Sequence, residues 1–185
     1  MVNYNKKKKF FFISYSNNPT ILENFLPKTN KHEKIGSIYE IPFNMIIFLE
    51  NLFNKLKKIK GAYLIIDYAK NKTFGNSLKS IKKQEITNPL NMIGKSDIST
   101  HVNFNLIKKI SKKFNLICNG PINQRNFLIK LGILLRAEIL MRNADSKQKK
   151  MLKNGLDFLI NKNKMGKIFN VISISNKKIN NLLGF

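Results

Sequence analysis

The nine glycines of this chain are spread so widely that no two can form the G-x-G turn on which a nucleotide-binding strand, loop and helix depend. Such a turn uses residues without side chains so that backbone N–H groups can approach the ligand closely. It is followed, after the next strand, by an acidic residue for the ribose hydroxyls, and neither element has a candidate here. The rest of the pattern is nevertheless that of an α/β protein. Short aromatic or β-branched runs alternate with segments whose apolar residues recur every three or four positions.

Residues 9–15 and 37–41 read as strands bounded by polar turn residues. Over 44–60, Met45, Leu49, Phe53 and Leu56 recur at helical spacing, and Gly61 stands where a C-cap belongs. Residues 62–66 form a continuous apolar run, the pattern of a strand in a parallel sheet covered on both faces. Ligands of open α/β sheets sit at the carboxyl ends of strands, which makes Asp67 and Tyr68 candidates. Asp67 can equally be an acid that tethers the following loop.

From 71 to 103 the chain reads as a long polar connection without a period. Within it Asp97, Ser99, Thr100 and His101 lie close together, and a carboxylate beside an imidazole is a general-base pattern. His32 is a weaker candidate in a polar loop. Asn103 or Asn105 is placed to cap a helix through Phe114, and residues 115–119 form a short strand. Asn123 is placed to cap the next helix, with Phe127, Leu131, Leu134 and Leu135 as its core stripe. Gly132 inside that helix would cost about 1 kcal/mol against alanine, to be offset by a closely packed neighbour. Arg136 is expected to pair with a loop carboxylate such as Asp97 or Asp67, the alternative being a substrate contact. Ser146 is placed to cap a further helix, and residues 168–175 alternate as a closing strand.

Composition narrows the function classes. The formal charge of +24 comes almost wholly from lysine, with Arg125, Arg136 and Arg142 the only arginines. Lysine, asparagine and isoleucine are abundant together, as AT-rich codons dictate, and a chain this poor in arginine forks is not read as a sequence-specific nucleic-acid binder. Cys118 stands alone, which excludes an internal disulfide and a cysteine metal site and suits a reducing cytoplasm. Residues 6–15 imitate the first two regions of a signal peptide without its small-residue cleavage site, and no apolar run is long enough to span a bilayer.

Five motifs occur in a fixed order. Ile66-Asp67-Tyr68 ends the apolar strand, with Ala69 where a glycine is the rule. Ser77-Leu78-Lys79-Ser80 follows, with Gln84 in a histidine's place. Gly94, Asp97, Ile98, Ser99, Val102, Asn103 and Phe104 come next, Asn103 replacing an acid. Gly120 and Pro121 run through Gln124, Phe127, Leu128, Leu131, Gly132 and Ile133 to Arg136, and Met165, Gly166 and Phe169 close the series. In this order the motifs resemble the C-terminal half of the S-adenosylmethionine-dependent methyltransferase family that contains the mitochondrial complex I assembly methyltransferase and its bacterial relatives.

The resemblance implies an α/β fold, a partial class I methyltransferase (Rossmann-like) sheet with flanking helices. It implies that residues 1–185 form one domain, the C-terminal portion of a methyltransferase domain, with the N-terminal cofactor-binding half absent, either carried on a separate chain or lost. The complete enzyme would use S-adenosylmethionine, and this chain alone is not expected to bind it. Asp67, with His101 as a second catalytic candidate, would work beside Tyr68, Asp97 and Gln124 on an arginine of a protein substrate, a respiratory complex I subunit. The alternative is a non-catalytic remnant or an assembly module.

Overall fold

The computed structural model describes residues 2–13, 38–69, 76–91, 93–177 and 182–185. The readings made for His32 and for most of residues 14–37 lie outside them. Where the sequence suggests one domain, the chain clusters into two compact units: residues 1–43 with 72–101, and residues 44–71 with 102–185.

In the first unit, β1 (Val2–Asn5) and β2 (Phe10–Ile13) form an antiparallel hairpin closed by a lysine turn, with Tyr4 and Phe11 as cross-strand partners at 4.8 Å. The stretch read as an aperiodic connection contains a second sheet. Strands β4 (Lys79–Lys82), β5 (Glu85–Thr87) and β6 (Asp97–Ser99) pair antiparallel in the order β5-β4-β6. Lys83 and Gln84, at φ 47° and 68°, make the tight turn between β4 and β5, whose left-handed pair matches strand twist. Strands of three or four residues are too short to display an alternation, which is why the sequence hides them. The Ser80 hydroxyl is fully buried and bonded to Ser96 and Thr87 at 2.6 and 2.9 Å.

Helix α1 (Phe43–Lys58) buries Ile46, Leu49, Phe53 and Leu56, an i, i+3, i+7, i+10 stripe one residue off the expected Met45 start. Its exit is held by Asn176, whose carboxamide donates to the Ile59 carbonyl and accepts from Gly61 N at 3.5 Å. Gly61 itself is not among the described glycines with positive φ, so the closure is a side-chain bridge and not a left-handed cap.

The main sheet consists of β3 (Ala62–Tyr68), β7 (Ile117–Asn123) and β8 (Phe169–Ser175) in the order β3-β8-β7. Strand β8 runs antiparallel to both neighbours, so β3 and β7 are parallel to each other with an antiparallel strand between them. This corrects the expectation that β3 lies within a parallel sheet covered on both faces. Its one ladder among the described residues is antiparallel, and Leu64 and Ile66 are exposed. A continuous apolar run reveals neither strand order nor edge position. Central β8 carries the core, with Val171, Ile172 and Ile174 fully buried.

Asn103 caps α2 (Phe104–Lys113), its side chain accepting from Leu106 N at 3.0 Å, and Phe104, Ile107 and Ile110 enter the core. Phe53 and Phe114 meet edge to face at 6.0 Å. The long helix expected after Asn123 is two helices, α3 (Gln124–Lys130) and α4 (Ile133–Arg142). Gly132 breaks it at φ 83°, with nothing within 4 Å of where a Cβ would stand. Its role is thus the left-handed backbone and not close packing. From Leu131 onward the expected core stripe turns outward: Phe127 is buried, while Leu131, Leu134 and Leu135 are exposed. Asp145, rather than Ser146, caps α5 (Ser146–Ile160) in a reciprocal box with Gln148. The single turn α6 (Met165–Ile168) leads into β8.

Candidate functional site

The carboxyl ends of β3 and β7 and the start of β8 meet at one rim of the main sheet. There Asp67 is the cross-strand partner of Asn170, and Asn170 is in turn the partner of Asn123. Directly opposed residues project from the same face, so these three polar side chains form one row about 10 Å long. All three are half-buried. The Asp67 Oδ1 accepts from Tyr68 N at 2.7 Å. The Asn123 Oδ1 accepts from Asn126 N at 2.8 Å and so starts α3. Neither Asn170 nor the row itself was legible beforehand, because both depend on register.

Tyr68 projects from the opposite face, where its ring lies against Phe169 at 4.2 Å. Its carbonyl accepts from Val102 N at 2.9 Å. Gln124 begins α3 next to Asn123 and is buried. Its Nε2 donates to the Leu159 carbonyl at 2.9 Å, and Arg125 Nη1 donates to the Ile160 carbonyl at 2.8 Å. The two side chains satisfy the last carbonyls of α5, groups that a helix leaves without intrahelical partners.

Asp97 and His101 belong to the other unit. Asp97 is an exposed residue of β6 opposite Ile81. His101 N donates to the Ser77 hydroxyl at 3.0 Å. Ser77 in turn gives its N–H and its hydroxyl to the Glu40 carboxylate at 2.7 and 2.5 Å, and Leu78 N adds a third bond at 3.0 Å. Glu40 was missed by the sequence reading, since nothing local marks an acid that clamps a strand 37 residues away. The expected partner of Arg136 is not found: Arg136 is exposed, and the two ion pairs among the described residues are Arg142–Glu138 and Lys164–Asp157. No group of three or more His, Cys, Asp or Glu among the described residues is arranged to hold a metal. Burial pushes the Cys118 thiol above its ordinary pKa, against the opposing influence of Lys108, Ser111 and Lys112.

The main sheet thus sets an antiparallel strand between two parallel ones, with the Asp67 carboxylate near the end of β3, in an α/β protein. Residues 1–122 match the family described as "Putative S-adenosyl-L-methionine-dependent methyltransferase", and the chain belongs to that family. It is 32% identical over 130 residues to the mitochondrial protein arginine methyltransferase NDUFAF7 of Danio rerio, covering 70% of this chain and 31% of the relative. To the Rattus norvegicus protein of the same name it is 26% identical over 156 residues, 84% of this chain and 35% of that one. The chain therefore spans about a third of the length of these curated relatives.

Two crystal structures from Burkholderia thailandensis share the fold. One, an uncharacterized COG1565 superfamily protein, superposes with a TM-score of 0.72 at 19% identity over 94% of this chain and 47% of its own. The other, a COG1565 superfamily member bound to S-adenosyl-homocysteine, gives a TM-score of 0.64 at 23% identity over 75% of this chain and 37% of its own.

Proposed function

We propose that this sequence is the substrate-facing, C-terminal part of an S-adenosylmethionine-dependent protein arginine methyltransferase whose cofactor-binding part lies outside these 185 residues. The observation that carries the reading is the Asp67–Asn170 pair at the sheet rim in a chain of this family. A guanidinium is permanently charged and planar, and a carboxylate is its natural partner through charge-assisted hydrogen bonds. Asn170, one strand away on the same face, adds a neutral acceptor. Together they hold the attacking nitrogen in a fixed direction, and orientation is the larger part of what such a protein contributes to a transfer reaction.

In this reading the chain does not bind the cofactor by itself, since no two of its glycines are spaced as a G-x-G turn. Gly120 lies within β7, where a Cβ would strike the Val171 carbonyl oxygen at 2.7 Å, and Gly132 stands between two helices. In this reading Tyr68 and Phe169 form the packed back of the site, and Gln124 fixes the helix layer behind it. The protein substrate is suggested by the names of the curated relatives, and a respiratory complex I subunit is the one the motif resemblance implies. The relatives are named as mitochondrial; we place this chain in a reducing compartment, the cytoplasm, on the strength of its lone thiol.

The test uses the full chain co-expressed with the part of the Danio rerio relative that it does not match, given methyl-labelled S-adenosylmethionine and arginine-containing protein. Label on arginine is expected, reduced about 100-fold by Asp67→Asn. A pair that binds cofactor but labels no arginine would favour the assembly-module alternative. Unchanged activity in the Asp67→Asn variant would remove the proposed site.

A further inference from the structure

Helix α5 is packed on one side and open on the other. Half-buried Leu152 and Leu156 and buried Ile160 form the packed side. Opposite them runs the stripe Lys147, Met151, Asn154 and Phe158, at i, i+4, i+7 and i+11, and all four are exposed. Met151 is 66% exposed and Phe158 54%, large apolar side chains held in water. Lys150 flanks the stripe. The helix carries Lys147, Lys149, Lys150 and Lys153 against one acid, Asp157, whose carboxylate is paired with Lys164.

The preceding helix α4 repeats the pattern. Its buried residue is Ala137, while Leu135 and Ile139, one turn apart, are 60% and 45% exposed, with exposed Arg142 a turn further on. Exposed apolar groups that recur along a helix face mark an interaction surface. A nucleic-acid backbone suits the lysines and leaves Met151 and Phe158 in water. A second copy covers the apolar pair but brings +24 onto +24 and sets one lysine-bearing stripe against another. An anionic lipid surface suits both. Apolar side chains enter the boundary between headgroups and acyl chains, and lysine stems lie along it with their ammonium groups among the lipid phosphates.

We infer that the outward face of α5, through Lys147, Lys150, Met151 and Phe158, docks on an anionic membrane surface. The helix lies in the plane of the interface and does not cross it, in keeping with the finding that no helix among the described residues is long and apolar enough to do so. No residue of the Asp67 rim takes part, so the inference stands apart from the methyl-transfer reading.

Vesicle co-sedimentation of the full chain tests it. Vesicles of phosphatidylcholine with about 30% phosphatidylserine should bind the chain, and vesicles of phosphatidylcholine alone should not. Lys147→Gln with Lys150→Gln should weaken partitioning by about 30-fold, since each lysine at such a surface contributes about a factor of five. Met151→Ser and Phe158→Ser should each weaken it by about 10-fold. Lys112→Gln with Lys113→Gln, exposed on α2, removes the same charge and should leave partitioning within about two-fold. Gly155→Glu deletes no contact, because a Cβ there meets nothing within 4 Å, and it gains helix propensity. Its carboxylate beside the stripe should still weaken binding.

Absence of partitioning on the anionic vesicles would overturn the proposal, as would equal partitioning on both vesicle types or partitioning that Phe158→Ser leaves unchanged. So would an equal loss in Lys112→Gln with Lys113→Gln, which would assign binding to net charge. A dimer in light scattering that Phe158→Ser dissolves would give the face to a second copy. Binding of duplex DNA without affinity for vesicles would give the lysines to a nucleic acid. Either result contradicts the membrane assignment.

Discussion

The side-chain amide of Gln124 donates to the Leu159 carbonyl at 2.9 Å and thereby ties the first residue of α3 to the last turn of α5. Gln124 is 5% exposed, so losing this bond is not compensated by water at the donor's end of the contact. Gln124→Leu keeps the volume and removes the donor. We expect a loss of about 1–2 kcal/mol, read as a lower urea midpoint with an unchanged slope. Gln124→Glu, which replaces the donor with an acceptor facing a carbonyl, should cost more.

Two glycines with positive φ should respond differently to alanine. Gly132, at φ 83°, has open space around it, so Gly132→Ala meets only the left-handed backbone penalty of about 1–2 kcal/mol. Gly120, at φ 96°, would bring its new Cβ to 2.7 Å from the Val171 carbonyl oxygen in the central strand. Gly120→Ala should therefore destabilise clearly more than Gly132→Ala in parallel thermal melts. Equal losses would mean that the β7–β8 contact relaxes without cost.

Cys118 should be slow to alkylate in the native protein. Desolvation raises its pKa, so the thiolate is scarcer than for a free cysteine at neutral pH. The sign for stability follows. Because the folded pKa lies above the unfolded one, the uncharged thiol contributes stability that is fully present below the unfolded pKa and is lost as pH rises through the folded pKa. Iodoacetamide labelling should accelerate sharply on unfolding in urea. Cys118→Ala should flatten the alkaline limb of the stability profile.

The parts of this fold that were legible in the sequence are those set by local chemistry. Asn103, one of two candidates for its helix, and Asn123 are the caps, because an N-cap is a contact over three residues. The stripe Leu49, Phe53 and Leu56 faces the core because helical period and burial coincide there. What the sequence concealed is set by partners far along the chain. Strand β8 enters the sheet between β3 and β7, and no residue of β3 announces an antiparallel neighbour from position 169 onward. The same distance hides Asn170 beside Asp67 and Glu40 beneath Ser77. Gly132 was read by its cost in a helix interior, although its dihedral makes it a boundary. Asp67 at the end of an apolar strand was legible as a candidate; its neighbours on the rim were not.

The measurement that bears most directly on the account is calorimetric titration of S-adenosylmethionine into the full chain, alone and paired with the unmatched part of the Danio rerio relative. The account predicts no resolvable binding by the chain alone and stoichiometric binding by the pair. Stoichiometric, micromolar binding by the chain alone would contradict it and show that a cofactor site exists here without a glycine-rich turn.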